Sequence, residues 1–371
     1  MNRINKDTNH PIVSESGTQY DYQPFTVKMF LNRSTIFYGE SGTGKSYLLN
    51  DYLKVLANEV FCMIAISRTG HTDKSFPLTE YTPTPLIYTR LNPEILESIY
   101  KAAEKRAEIY REVNKIENLE KGLKVILDVY KKNDDYLYKK TRNYAQSIRK
   151  YRKKHYSNAE SKNEKLKAEV TLVKMYRYLL KKGYKYISDN KIDLLEAYSE
   201  SDLISVIFCK LNPNILILFN DVGDDVKTMK KAHQAYISNL FSMGRHLCIT
   251  VCFLLQNITQ VDPGIRKNAN INIFTEERVI NAIVDSNKLK HERKRFGDAA
   301  KTIIVEDMKK PPNQRTYTKI LYDKESGSIK YVKADKLGEQ TMVGDKHFTD
   351  YLKKRELDKS SMIAHSMLKN F

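Results

Sequence analysis

The sequence has 371 residues, 63 Lys and Arg against 45 Asp and Glu, a formal net charge of +18 and 41% apolar residues. This length suffices for one large α/β domain with an insertion or for two domains, so size excludes no class of enzyme. No apolar run approaches the roughly 20 residues that cross a bilayer. The N-terminal residues lack the apolar stretch of a signal peptide, so we expect an intracellular protein. Its excess positive charge favours a polyanionic partner.

The first motif in chain order is a phosphate-binding loop. A short β-prone run, Ser34–Tyr38, ends in Gly39-Glu40-Ser41-Gly42-Thr43-Gly44-Lys45-Ser46, and a helical pattern runs from about Lys45 to Asn58. In this pattern glycines let the backbone approach phosphates, the lysine reaches the β- and γ-phosphates, and the hydroxyl is a ligand of Mg²⁺. We therefore assign nucleotide binding to residues 39–46, catalysis to Lys45 and metal binding to Ser46, with ATP and Mg²⁺ as cofactors.

After a predicted buried strand over Val60–Ile66, the pattern changes at Asn92 into a long helical stretch that runs to about Tyr186. Residues 101–187 hold 25 Lys and Arg against 11 Asp and Glu, and 11 of the 25 tyrosines of the chain. Lysine and arginine suit phosphates and tyrosine suits base stacking, although charged helical faces are often only solvated. Direct DNA contact by this segment stays open; its best candidates are Arg149, Lys150, Arg152, Lys153 and Lys154.

Apolar residues return at Ile215–Phe219, a run with the density of a central strand covered on both faces. It ends in Asn220-Asp221, where an acid that organises Mg²⁺ and the attacking water is expected. Many such ATPases carry two acids here, so the neutral Asn220 is a departure and is assigned at most a water-mediated metal contact. Asp221 takes the catalytic and metal-binding role, with Asp224 and Asp225 as reserves and helix capping as the alternative.

A helix is predicted over Asp224–Met243 and a strand over Leu247–Leu255, followed by Gln256. An amide at this strand end is placed to sense the γ-phosphate and orient water. Arg245 and Arg266 flank the strand, and either is a candidate arginine finger that reaches the ATP of a neighbouring subunit. The four cysteines, which form no C-x-x-C pair, are interpreted as reduced core residues.

The remaining chain predicts a strand over Ile271–Phe274, a hairpin from Arg315–Leu321 and Ser328–Ala334, and a basic amphipathic helix from Tyr351 to Phe371. The expected fold is an α/β P-loop core of the RecA-like type with a mostly parallel sheet, interrupted by a basic helical insertion. The expected boundaries are a polar lead-in, the first core part, the Tyr-rich insertion, the second core part with the hairpin, and a basic tail: residues 1–24, 25–91, 92–200, 201–340 and 341–371.

Together these motifs resemble the genome-packaging ATPases of large cytoplasmic DNA viruses, of poxvirus and giant-virus type, within the FtsK and HerA superfamily. The match rests on the P-loop, Ile215–Asp221, Gly244-Arg245-His246, Ile249–Gln256, Ile265–Asn268 and Ile271–Phe274. It covers less than half of the chain, and the insertion has no counterpart. The resemblance implies a homo-oligomeric ring that drives double-stranded DNA into a preformed capsid at the assembly site in the host cytoplasm or in the virion, with a capsid or portal-like partner.

Three alternatives remain. Asn190-Lys191-Ile192-Asp193 matches the guanine-reading N-K-x-D pattern of GTP-binding switches, but it precedes the acidic strand instead of following it. A cellular-type DNA pump or helicase of the same superfamily would share every motif. A DNA-coating protein with a vestigial ATP site is the third.

Overall fold

The computed structural model describes residues 10–70, 76–286, 292–334 and 338–355. The chain forms two compact units, one made of the chain up to Ala103 and from Pro213 onward, the other of Glu104–Asn212. The first unit holds a two-stranded antiparallel pair, β1 (Ile12–Val13) with β2 (Gln19–Tyr20), and an eight-stranded sheet. The strands of that sheet are β3 (Ser34–Tyr38), β4 (Cys62–Ser67), β5 (Ile87–Tyr88), β6 (Ile215–Asn220), β7 (Ile249–Leu255), β8 (Ile271–Phe274), β9 (Thr318–Asp323) and β10 (Ser328–Lys333).

The spatial order is β10-β9-β8-β3-β7-β6-β4-β5. The six strands from β8 to β5 are parallel, whereas β9 and β10 form an antiparallel hairpin that joins β8. Register aligns the carboxyl ends of the central strands: Tyr38 lies opposite Leu255, and Leu254 opposite Asn220. The predicted α/β fold with a mostly parallel sheet and a helical insertion is confirmed.

Helices cover both faces of the sheet, which explains why its strands are apolar at consecutive positions. Along β6, Ile215, Ile217 and Phe219 belong to one buried cluster and Leu216 and Leu218 to the other. The helices in chain order are α1 (Val27–Phe30), α2 (Lys45–Leu56), α3 (Pro93–Val113), α4 (Ile116–Asn133), α5 (Asp135–Tyr151), α6 (Lys162–Asp189), α7 (Glu200–Ile207), α8 (Gly223–Thr228), α9 (Lys231–Met243), α10 (Pro263–Asn268), α11 (Glu277–Ser286), α12 (Arg293–Ala299) and α13 (Glu306–Lys309).

The helical unit is built on α4, α5, α6 and α7, which share one buried apolar cluster. Local signals define the helix starts: the Asp134 side chain accepts from the Leu137 N–H at 2.9 Å, and Ser161 with Glu164 forms a capping box at α6. Arg177 of α6 holds the segment that follows α7, because its guanidinium donates to the carbonyls of Cys209 and Leu211. Thus the insertion has a core of its own.

The insertion lies 12 residues further along the chain than the predicted range 92–200. The first turns of α3 bury Leu96, Ile99 and Ala103 in the cluster of the sheet unit. At the other boundary α7 buries Leu203 and Val206 in the cluster of the helical unit. Helical periodicity showed where helices run but not which core each turn joins.

Other differences are local. The predicted helix over Asp224–Met243 is two helices, because residues 229 and 230 leave the helical conformation between α8 and α9. The residues preceding α1 are not merely a lead-in, since the Gln23 N–H donates to Tyr331 O at 2.9 Å and the Tyr331 N–H to Asp21 O at 3.0 Å, which pairs part of the β10 edge. Residues 346–355 are helical, and the rest of the predicted C-terminal helix lies outside the described residues.

Candidate nucleotide-phosphate site

The loop of residues 39–44 joins β3 to α2, and its three glycines all have positive φ. Gly39 has φ +148°, and a Cβ there would also overlap the Thr275 hydroxyl, so both backbone and space require glycine. Gly44 is the N-cap of α2 and has no side chain to cap the first turn. The N–H groups of that turn therefore remain directed toward an anion.

Lys45 is the first residue of α2 and is buried, with 9% of its surface exposed. Its Nζ donates to the carbonyl oxygens of Gly39 and Glu40, the latter at 2.7 Å. Burial lowers the pKa of Lys45, whereas the carboxylates of Asp221 and Glu276 act in the opposite direction. The ammonium is thus hydrogen-bonded to loop carbonyls at the place where the phosphates of a nucleotide would bind.

Strand order brings the predicted catalytic side chains together. Because β7 lies between β3 and β6, Gln256 emerges between the phosphate-binding loop and the Asn220-Asp221 pair. Gln256 Nε2 donates to Asp221 Oδ1 at 2.7 Å. Asp221 is left-handed, with φ +55°, a conformation that Asp and Asn tolerate better than most residues. Amide and carboxylate therefore form one unit beside the loop.

The side chain of Asn220 takes a different direction. Its Nδ2 donates to Ser67 Oγ at 3.1 Å, which ties the end of β6 to the end of β4. Gln260 supports the turn after β7, because its Oε1 accepts from the backbone N–H groups of Gln256 and Asn257 at 2.9 and 3.0 Å. Both contacts fix the backbone that presents Asp221 and Gln256.

These groups surround a cleft of about 420 Å³. The lining residues are Glu40, Ser41, Gly42, Gly44, Lys45, Ser46, Tyr47, Phe76, Asn220, Asp221, Leu254 and Gln256. The Ser46 hydroxyl and the Asp221 carboxylate are the hard oxygen ligands that Mg²⁺ prefers, and Mg²⁺ takes its remaining ligands from phosphates and water. Across the described ranges no group of three or more His, Cys, Asp or Glu could hold a metal. The donor set fits a Mg²⁺ ion that arrives with a nucleotide.

Beside the loop lie residues that the sequence did not indicate, among them Thr275, Glu276 and Lys319. Thr275 and Glu276 directly follow β8, the other neighbour of β3, and Lys319 lies on β9. The Glu276 carboxylate accepts the Glu40 N–H at 2.8 Å, and burial raises the pKa of Glu276 while Lys45 and Lys319 lower it. The rule that selected Asp221 and Gln256, a polar residue at the carboxyl end of a strand, also applies to β8.

The two candidate finger arginines differ sharply in exposure. Arg266 is 5% exposed, and its Nη1 donates to Ile258 O at 2.6 Å within its own subunit. A finger has to extend out of its subunit, so the assignment of Arg266 as a finger is replaced by a structural role. Arg245 is exposed in the turn before β7, with its Nε 3.4 Å from His246 Nε2. It lies at the opposite end of β7 from Gln256, so its own phosphate site is out of its reach.

The reserve acids have another partner. Arg68, which follows β4, is ion-paired with Asp225, and its Nη1 is 4.0 Å from Asp224 Oδ2. The Asp225 Oδ2 atom also accepts from the Leu91 N–H at 3.4 Å. These contacts make Asp225 a link between the ends of β4, β5 and β6, whereas Asp221, unlike Asp224 and Asp225, lines the cleft.

In the helical unit, the predicted DNA-contacting residues lie at the end of α5 and in the π-helical turn Arg152–Ser157. Arg149, Lys150, Lys153 and Lys154 are exposed. Arg152 is different: it is ion-paired with Glu120, which also accepts from the Tyr176 hydroxyl at 3.0 Å. Arg152 therefore stabilises the packing of three helices, and the exposed patch consists of the other four cations.

The structure also shows where the guanine-reading N-K-x-D pattern lies. Asn190-Lys191-Ile192-Asp193 directly follows α6 in the helical unit and does not follow a strand of the sheet. Asp193 Oδ1 accepts from the Leu195 N–H at 2.9 Å, so it serves a local turn.

A family model described as zonular occludens toxin (Zot) matches residues 200–320, about a third of the chain. The uncharacterized protein B354L of African swine fever virus, isolate Warthog/Namibia/Wart80/1980, is 22% identical over 317 residues, which cover 81% of this chain and 83% of the relative. The same protein of isolate Tick/Malawi/Lil 20-1/1983 shows the same identity and coverage. These viral relatives agree with the resemblance predicted from the sequence.

Two solved structures are also similar. The genome packaging NTPase B204 from Sulfolobus turreted icosahedral virus 2, in complex with AMPPCP, is 10% identical with a TM-score of 0.37 and covers 81% of this chain and 96% of its own. The conjugation coupling protein TcpA of pCW3, in a monomer form with ATPγS, is 13% identical with a TM-score of 0.36 and covers 95% and 72%. The P-loop, its helix and the polar strand ends beside it make this chain a P-loop NTPase.

Proposed function

We propose that this chain is an ATP-hydrolysing motor that moves double-stranded DNA, and that in a virus it packages the genome into a preformed capsid. The observation that carries hydrolysis is the Asp221–Gln256 hydrogen bond at the carboxyl edge of the sheet, beside the loop that holds Lys45. A protein that only binds nucleotide needs no more than the loop. A hydrolase also needs groups that position water.

In the proposed chemistry each polar side chain of the cleft has a defined role. The loop N–H groups and Lys45 bind the β- and γ-phosphates, and charge developing on the γ-phosphate during transfer is stabilised by the Lys45 ammonium. Ser46 and Asp221 would hold Mg²⁺, and the ion would supply neutralisation of phosphate charge. The carboxylate of Asp221 and the amide of Gln256 orient the attacking water. Asn220 contributes only through water, because its amide is tied to Ser67.

Arg278 already lies beside the loop, ion-paired with Glu40, and a ring of several copies would add an arginine from a neighbouring subunit. Arg245 is exposed at the edge of the sheet opposite its own phosphate site, where it can face the site of a neighbouring copy but not its own. Arginine fingers provided in trans act in this way. We therefore keep Arg245 as the finger of the proposed ring.

Two observations support DNA as the cargo. The chain carries +18, and most of the excess lies in the helical unit, where Arg149, Lys150, Lys153 and Lys154 are exposed as one patch. Such a patch suits the phosphate backbone, whose binding is sequence-independent and salt-dependent. Packaging, the capsid or portal-like partner and assembly in the infected cytoplasm follow the sequence resemblance and the viral source of the relatives.

The test is ATP turnover measured with and without duplex DNA. We expect DNA to stimulate turnover, Lys45→Ala to abolish it and GTP to be a poorer substrate than ATP. GTP turnover equal to that of ATP would favour a GTP-binding switch, and turnover indifferent to DNA would leave a hydrolase without the proposed cargo. Production of DNA-filled particles by a virus that lacks the gene would reject packaging and favour a DNA pump of another kind.

A further inference from the structure

Lys319 is an unusual residue for its place in the fold. It lies on β9, which has β8 on one side and β10 on the other, and only 4% of its surface is exposed. Burial lowers the pKa of Lys319, because removing an ammonium from water is costly. The next two positions of the same strand are Ile320 and Leu321, both fully buried. A buried ammonium is retained only where partners compensate its lost hydration, so the groups around Lys319 indicate its role.

Two carboxylates supply counter-charge to Lys319. The larger contribution is that of Asp307, which also accepts hydrogen bonds from Thr316, Thr318 and Lys310. The other acid is Glu276, which accepts the Glu40 N–H. The Lys319 ammonium therefore lies in the field of a carboxylate that is itself part of the loop's surroundings.

A chain of contacts leads from Lys319 to the loop. Lys319 Nζ donates to Thr275 O at 3.1 Å. The Thr275 hydroxyl lies 2.7 Å from the Thr43 hydroxyl and 2.9 Å from Tyr38 O, to which it donates. The Lys319 stem also approaches the loop directly, because Lys319 Cε is 3.7 Å from the position that a Cβ on Gly44 would take.

We propose that Lys319 is a positioning residue for nucleotide binding: it holds Thr275 and Glu276 against the loop and balances the Glu276 charge beside the bound phosphates. This inference rests on the proposed function and extends it, because it makes the C-terminal hairpin part of the nucleotide site. Without Lys319 the Glu276 carboxylate repels the incoming phosphates, and the Thr275 contact to Thr43 loses its support. Loss of Lys319 therefore weakens the binding of the nucleotide phosphates.

The test compares the full-length chain with Lys319→Met, with Lys319→Met combined with Glu276→Gln, and with Lys330→Met. The last is the matched control, since Lys330 lies on the adjacent strand of the same hairpin but donates to Gln23, remote from the loop. The readout is the Kd of fluorescently labelled ADP with Mg²⁺, together with the melting temperature. We expect Lys319→Met to weaken binding about tenfold, about 1.4 kcal/mol. The combined variant should return to within about threefold of wild type, and Lys330→Met should match wild type.

The melting temperature separates a positioning role from a structural one. Lys319→Met removes one partner from a group of buried charges, so it should melt below the wild-type temperature; a positioning role then requires that affinity is lost in a chain that is still folded at the temperature of the binding assay. Binding by Lys319→Met within twofold of wild type, or a loss that Glu276→Gln does not recover, would overturn the inference. A wild-type chain that does not bind the labelled ADP would instead refute the proposed nucleotide site itself.

Discussion

Replacing Gln256 with alanine removes the donor that holds Asp221 at 2.7 Å and leaves the rest of the cleft in place. A hydrogen bond to a charged acceptor contributes roughly 1.5–3 kcal/mol. If the full amount acts in the transition state, kcat falls by about 10- to 150-fold, since each 1.36 kcal/mol corresponds to a factor of ten. Nucleotide affinity should change little, because Gln256 touches the acid and not the loop.

The comparison variants are Asp221→Asn and Asp224→Asn. Asparagine tolerates the left-handed backbone of position 221, so the first change removes charge without backbone strain and should nearly abolish turnover. Asp224 is 67% exposed and faces Arg68 instead of the cleft, so its variant should turn over like wild type. On the Asp221→Asn background, Gln256→Ala should add little, because the two side chains act as one unit.

The assay is steady-state phosphate release with saturating ATP, with labelled-nucleotide binding measured in parallel. A Gln256→Ala enzyme within threefold of wild-type kcat would refute the pairing argument. So would an Asp224→Asn enzyme as impaired as Asp221→Asn, because the acid would then have been assigned to the wrong residue.

Three further predictions concern the ring, the basic patch and the helical core. Arg245→Ala should bind nucleotide but hydrolyse it poorly, and mixing it with the Lys45→Ala chain should recover part of the activity; absence of recovery contradicts a role in trans. Charge reversal of the exposed patch should lower DNA affinity and flatten the dependence of that affinity on salt; the changed residues are Arg149, Lys150, Lys153 and Lys154. Filter binding between 50 and 200 mM salt measures both effects, and an unchanged salt dependence would mean that the patch does not bind DNA. Gly183→Ala should destabilise the helical unit by about 1–3 kcal/mol, because the added methyl group overlaps Ile126. The control Gly297→Ala adds a methyl group in open space on α12 and should raise the free energy of unfolding by about 0.5–1 kcal/mol. Denaturant unfolding measures both, and equal effects would contradict the packing of α6 on α4.

Much of the fold was predictable because local pattern and tertiary environment agree there. The glycine-rich loop fixes a strand before it and a helix after it, and the consecutive apolar residues of β6 require helices on both faces. The boundary of the insertion was not predictable in the same way. In α3 the helical pattern continues from Leu96 to Val113 without interruption, although its first turns belong to the sheet unit and its last turns to the helical unit.

The site was predictable in part for a similar reason. Lys45, Asp221 and Gln256 follow from a motif and from the rule that polar residues at parallel strand ends meet at one edge of the sheet. Lys319 follows from neither, because it lies within a strand and is brought to the loop only by the pairing of β9 with β8. Arg266 was a candidate finger because of its position after β7, but nothing in the sequence indicates that its side chain turns inward.

The burial of Arg266 affects how relatives of this chain should be compared. Its Nη1 donates to Ile258 O and closes the loop that runs from Ile258 to α10, and Gln260 within this loop accepts from the backbone N–H groups of Gln256 and Asn257, just after β7. An arginine held by such a closed loop will be retained wherever the loop is retained, whether or not the protein forms rings. If relatives also carry an arginine at the position of Arg266, this would reflect the conserved loop. Evidence that subunits cooperate should be sought at exposed arginines such as Arg245.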